Sequence, residues 1–183
     1  GANDVVIKST WEINNIAKKN EDRPSVAMSN DGYFTIAWRT DMKPTGATSD
    51  QSVVLYQTFD NVGRSLNSPA FIFDELDSSQ REPSVAISTN GGDKCISFVW
   101  SASGYSAKMK YNGADVLYTT IDFYTGKMMV SPQIINSYKD STQQSPTIGS
   151  SQSSLIAGWE DHKQEGGSAT SAKGVGIYGV RLK

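Results

Sequence analysis

Pro24-Ser25-Val26-Ala27-Met28-Ser29-Asn30-Asp31-Gly32-Tyr33-Phe34-Thr35-Ile36-Ala37-Trp38 decides the fold, because its parts return twice further along the chain. Pro83-Ser84-Val85-Ala86 and Pro146-Thr147-Ile148-Gly149 open two more units, and Trp100 and Trp159 follow them as Trp38 follows Pro24. A tyrosine comes 18, 18 and 19 residues after each tryptophan, at Tyr56, Tyr118 and Tyr178. Repetition at a period of about sixty residues is the mark of a repeat architecture and governs every later step. Within the quoted stretch, Phe34, Ile36 and Trp38 alternate with Tyr33, Thr35 and Ala37, a period of two that predicts a strand. Asn30-Asp31-Gly32 supplies the residues that tolerate the backbone of a tight hairpin turn.

Each unit reads as four short strands, a to d. Strand a is expected at 25–29, 84–88 and 147–150, strand b at 33–39, 94–101 and 154–160, and strand c at 53–59, 115–121 and 174–181. Strand d follows a glycine turn at Gly63 or Gly126 and is expected at 70–74 and 133–137. Pro69 and Pro132 each stand 14 residues before the next repeat proline, and Thr10 stands 14 before Pro24. The segment 10–16 therefore takes the strand d slot, and the expectation is that Trp11–Ile16 completes the last unit. One domain over 1–183 follows, with repeats at about 24–74, 83–137 and 146–183 plus 10–16.

Four-stranded units in series predict an all-β chain, a β-propeller of three four-stranded blades. Propellers usually hold about 4–8 blades, so three are too few for an ordinary ring. The expected solution is a homodimer, a six-bladed ring in which each N-terminal strand closes the partner's last blade. A lone three-blade ring and a fragment of a longer chain are the alternatives.

Composition removes several function classes. The 17 basic and 19 acidic residues leave a net charge of −2, which argues against a nucleic-acid partner held by bulk positive charge. No apolar run approaches the ~18 residues of a membrane span, so no membrane insertion is expected. Cys95 is the single cysteine, so no internal disulfide or cysteine metal cluster can form. His162 is the single histidine, which rules out a multi-histidine metal site. Calcium would need Asp41, Asp50, Glu160 or Asp161 to meet carbonyl groups, without any EF-hand-like spacing, and no cofactor is expected.

Strands in a meander alternate direction, so the long b–c and d–a connections share one end, and such gathered loops are the usual layout of a binding surface. The expected ligand contacts on that end are Arg23, Arg81, Tyr105, Lys108, Tyr111, Asp161 and His162. Arginine forks suit carboxylates, phosphates and sulfates, and Tyr105 and Tyr111 offer faces for sugar stacking. Arg23 and Arg81 could equally pair with Asp22, Glu82, Asp74 or Glu75. Trp38, Trp100 and Trp159 are expected in the core. Asp41 and the Glu160-Asp161 pair could in principle run glycoside hydrolysis, but the middle unit reads Trp100-Ser101-Ala102-Ser103 and lacks the acid, so no catalytic residue is assigned.

The stretches from Pro24 to Trp38, Ile156-Ala157-Gly158-Trp159-Glu160-Asp161 and Gly176-Ile177-Tyr178-Gly179-Val180-Arg181 resemble a recurrent extracellular repeat of the sialidase-like class of β-propellers. The resemblance implies a secreted or cell-surface protein. Sialidases of that class carry an arginine triad, a tyrosine–glutamate pair and a further acid, and no such set can be placed here. The repeat Ser-x-Asp-x-Gly-x-x-Trp is also absent, since Ser29-Asn30-Asp31-Gly32 differs in spacing. The expected function is a non-catalytic, lectin-like module that binds a glycan or a surface protein. A sialidase-like hydrolase and a purely structural oligomerisation module are the alternatives.

Overall fold

The computed structural model describes residues 12–13, 19–43, 46, 49–73, 78–90, 92–104, 113–137, 142–151, 154–162 and 175–182. These residues form strands and turns only, and no helix among them is long and apolar enough to cross a membrane. Blade 1 comprises β1 (Glu21–Met28), β2 (Phe34–Met42), β3 (Gln51–Phe59) and β4 (Ala70–Phe71), hydrogen-bonded in chain order. Blade 2 repeats the plan with β5 (Ser79–Asn90), β6 (Asp93–Ser103), β7 (Ala114–Asp122) and β8 (Met128–Ile134). Blade 3 has β9 (Gln143–Ser150), β10 (Leu155–Asp161) and β11 (Gly176–Leu182). Every pairing is antiparallel. The expected closing strand at Trp11–Ile16 lies outside the described residues, apart from Glu12 and Ile13, which are not in a strand.

The sheets stack face to face, with β5 packed between β1 and β9. Alternation along each strand drives the stacking, because one set of side chains meets the blade before and the other the blade after. Between blades 1 and 2 lie Tyr56, Phe98, Trp100 and Leu117, and between blades 2 and 3 lie Val99, Tyr118, Leu155 and Trp159. All three repeat tryptophans are buried, as expected. Among the described residues the blades form an open series of three.

Two details of register depart from the expected pattern. Tyr56 pairs with Ala37 and Tyr118 with Val99, but Tyr178 pairs with Trp159 itself. The one-residue difference in spacing turns Tyr178 to the opposite face of its sheet, since strand side chains alternate. Gly179 takes the place of the other two tyrosines, opposite Gly158. The inner strands also begin several residues earlier than expected, before the prolines rather than after them. A register shift at Asp22/Ser25 and Arg81/Ser84 lets each strand continue past its proline.

Candidate functional site

The residue before each repeat proline carries the strain of that irregularity. Arg23, Glu82 and Ser145 all have positive φ, at 53°, 55° and 51°. Non-glycine residues rarely adopt this backbone, and bulges of this kind re-aim side chains next to functional sites. The true repeat partner of Arg23 is thus Glu82, whereas Arg81 corresponds to Asp22.

The three strained positions meet one another. The Glu82 carboxylate accepts from Arg23 Nη1 at 2.9 Å, from Ser101 Oγ at 3.0 Å and from the Ser145 backbone N–H at 2.7 Å. One carboxylate thereby clasps all three blades at the end where the inner strands begin. The serines after the prolines continue the stitching: Ser25 Oγ accepts from Val85 N–H and Ser84 Oγ from Ile148 N–H. Arg23 is consequently committed to an ion pair across the blade junction and is not a free ligand contact. Arg39 is committed as well, donating to Asp22, Asp41 and Ser52.

Arg81 differs from both. Among the described residues its guanidinium has no carboxylate partner, only the Ser79 hydroxyl at 3.3–3.4 Å. It lines an open cavity of about 250 Å³ together with Ser79, Glu82, Ser101, Ser103, Thr142 and Gln144. Gln144 extends the polar surface, sharing a hydrogen bond with His162 Nε2 at 2.9 Å and donating to Glu160 at 3.4 Å. His162 lies 3.5 Å from the same Glu160 carboxylate. Arg81 and His162 thus stand on one surface, linked through Gln144. Asp161 does not join them. It is buried and accepts from the Gln143 amide of the neighbouring strand in its own blade at 3.3 Å, which sets it apart from the exposed surface where a ligand contact was expected. Tyr105, Lys108 and Tyr111 lie outside the described residues.

Chemically, the pocket offers one positive fork, the Glu82 carboxylate, several hydroxyls and an amide. Among the described residues no group of three His, Cys, Asp or Glu side chains is placed to hold a metal ion. Asp41 is tied to Arg39 and Asp50 to Lys19.

In fold, the chain is similar to a sialidase. The Hadza microbial sialidase Hz136 superposes with a TM-score of 0.57 at 8% identity, over 89% of this chain and 35% of that one. This chain therefore spans about a third of the length of the sialidase it matches. No protein-family model and no curated protein sequence matches it. At this identity the likeness is one of fold alone.

Two features of the site escaped sequence reasoning. The Glu82 clasp joins residues some sixty positions apart, and no local pattern announces it. The second feature was visible: Glu21, Gln80 and Gln143 each stand three residues before a repeat proline. Gln80 donates to Phe73 O of the preceding blade at 2.8 Å, and Gln143 accepts from Asn136 at 3.1 Å. Glu21 alone carries a charge there. Among the described residues its carboxylate oxygens are covered with no partner inside hydrogen-bond limits, and the indole N–H of Trp38 is the polar group beside them. Burial pushes its pKa up, partly opposed by Trp38 and reinforced by Glu12.

Proposed function

We propose that the chain is a non-catalytic extracellular or surface-exposed binding module, lectin-like, that recognises an acidic glycan at the end where the inner strands begin. The observation that carries this reading is Arg81, whose guanidinium has no carboxylate partner among the described residues, in a cavity otherwise lined by hydroxyls, an amide and the Glu82 carboxylate that Arg23 already pairs. A guanidinium fork matches a sugar carboxylate or sulfate bidentately, and the hydroxyls and Gln144 suit ring hydroxyls. The finer architecture that goes with it is a closed ring of six blades.

Calorimetric titration with acidic and neutral oligosaccharides tests the reading. Acidic sugars are expected to bind and neutral analogues to bind at least about tenfold more weakly, and Arg81→Ala should remove that preference. Unchanged binding by Arg81→Ala would overturn it. Likeness to a sialidase favours a second reading, hydrolysis of the same sugars. Turnover of a fluorogenic sialoside, abolished by Arg81→Ala, would establish that reading in place of simple binding.

A further inference from the structure

The blades hold a second concave site, at the end away from Arg81. The inner strands β1, β5 and β9 finish there, and a cavity of about 670 Å³ lies between their ends. That volume falls within the roughly 300–1,000 Å³ of small-ligand sites, whereas the Arg81 cavity measures about 250 Å³. Asp31 comes from the first turn of blade 1, Ser88 and Thr89 from the end of β5, Ser150 from the end of β9, and Tyr124 from the turn between β7 and β8. All three blades contribute, and bonds between blades fix the walls. Lys94 of blade 2 donates to Asp31 of blade 1 at 2.8 and 2.9 Å, and Ser150 Oγ of blade 3 donates to Ile87 O of blade 2 at 2.6 Å. Arg81 stands near the start of β5 and Ser88 near its end, about 20 Å apart at the rise of an extended strand.

Tyr124 supplies a ring that is 64% exposed and yet held in place. It meets Phe123 edge-on at 5.1 Å and Tyr33 edge-on at 6.4 Å between centroids, and its backbone N–H donates to the Asp122 carboxylate at 3.1 Å. A side chain already fixed loses little freedom when a ligand stacks on it. The charges of the cavity cancel. Among its described lining residues Lys94 is the one cation and Asp31 the one anion, and they are paired. The Asp31 side chain is 58% exposed, so its carboxylate meets the buried ammonium and the cavity together. An anion would face Asp31 before it reached Lys94, and a cation would compete with Lys94 for the same carboxylate. An uncharged ligand meets neither penalty. Its hydroxyls can donate to Asp31, a charge-assisted bond, and exchange bonds with the hydroxyls of Ser88 and Thr89.

We propose that this cavity binds an uncharged, hydroxyl-rich sugar, which lays its apolar ring face on Tyr124 and gives hydroxyls to Asp31 and to the serine and threonine hydroxyls at the ends of β5 and β9. It is a second site with a preference opposite to that of Arg81, and it does not rest on the Arg81 reading. The weaker binding of neutral sugars expected beside the acidic ones belongs to this end of the chain and survives the loss of Arg81.

Heteronuclear NMR of the full chain, titrated with maltotriose, chitotriose and lactose, reads which end responds. At least one of these sugars should move the amide signals of Ser88, Thr89, Tyr124 and Ser150 and leave those of Arg81 and Gln144 in place. Tyr124→Ala, at an exposed position, should weaken that binding about tenfold with an unchanged circular dichroism spectrum. Ser88→Trp should fill the cavity and remove the response, and Arg81→Ala should leave it unaltered. The proposal is overturned if none of the sugars moves the turn-end signals, or if a folded Tyr124→Ala protein binds as wild type does. Adding an acidic sugar to the same samples separates the two sites, because its signals should move at Arg81 and Gln144 whether or not the turn end responds.

Discussion

Replacing Lys94 by methionine should loosen the junction of blades 1 and 2. Lys94 is buried near the start of β6, and its ammonium sits 2.9 and 2.8 Å from the two carboxylate oxygens of Asp31 in the first turn of blade 1. It also lies 4.2 Å from the ring centroid of Tyr33, 5.0 Å from Phe123 and 5.6 Å from Tyr124. Aromatic rings from both blades thus surround one charge. Methionine keeps the stem and its packing, so the loss is that of the charge alone. A desolvated cation on aromatic faces contributes up to about 2 kcal/mol, and for a domain of this length that corresponds to a fall of about 4–8 °C in Tm. Asp31→Asn should cost less, because Asp31 faces solvent and the rings remain. Hydrogen bonds from Lys94, then from Ser29, hold the Asp31 carboxyl below its ordinary pKa. Its stabilisation is therefore present above the ordinary carboxylate value and disappears as pH falls through the depressed one. The assay is urea or thermal unfolding of both variants and the double variant from pH 3 to 7. Buried charges can be replaced by apolar groups without loss. A Lys94→Met protein that melts at or above the wild-type temperature would refute the reasoning.

Glu21→Gln should stabilise the protein at neutral pH by about 1 kcal/mol, because a neutral amide replaces the covered carboxylate and no charge is buried. The raised Glu21 pKa means that its contribution is complete below the ordinary carboxylate value and lost as pH rises through the raised one. The advantage of Glu21→Gln in Tm should accordingly grow from pH 4 to pH 7, and a constant difference across that range would contradict it. Asp122 works in the opposite sense: the Thr125 hydroxyl, and the backbone N–H groups of Thr125 and Tyr124, lower its pKa. Asp122→Asn should reduce stability at pH 7 and converge with wild type as pH falls through the depressed value, as measured by the same melting curves.

Much of the fold was legible because it rests on local rules. Proline, alternating apolar residues and a tight turn mark a strand and the next strand, and strands a, b and c of all three units overlap the places where the repeat puts them, whereas β8 (Met128–Ile134) begins five residues before the strand d expected at 133–137. Strand beginnings were misplaced for a physical reason. A proline looks like the first residue of a strand, yet the left-handed backbone at Arg23, Glu82 and Ser145 carries the strand across it, and nothing in those three side chains signals that conformation. The face of Tyr178 was misjudged because a spacing of 19 looks equivalent to 18 until pairing is known, and one residue reverses the side of a sheet. For the site, Arg81 could be named from the sequence as an anion-binding candidate. That Glu82 takes Arg23 and leaves Arg81 without a carboxylate among the described residues depends on where Glu82 reaches, and this is set by the meeting of three blades.

The Glu82 clasp limits how such a protein can grow or shrink. Repeat proteins commonly gain and lose units one at a time, since each unit touches only its neighbours. Here a single carboxylate takes donors from the first, second and third units, so deleting the first or the third strands an acid that has lost a partner. Three units, rather than one, are then the module that duplication or grafting would have to move intact.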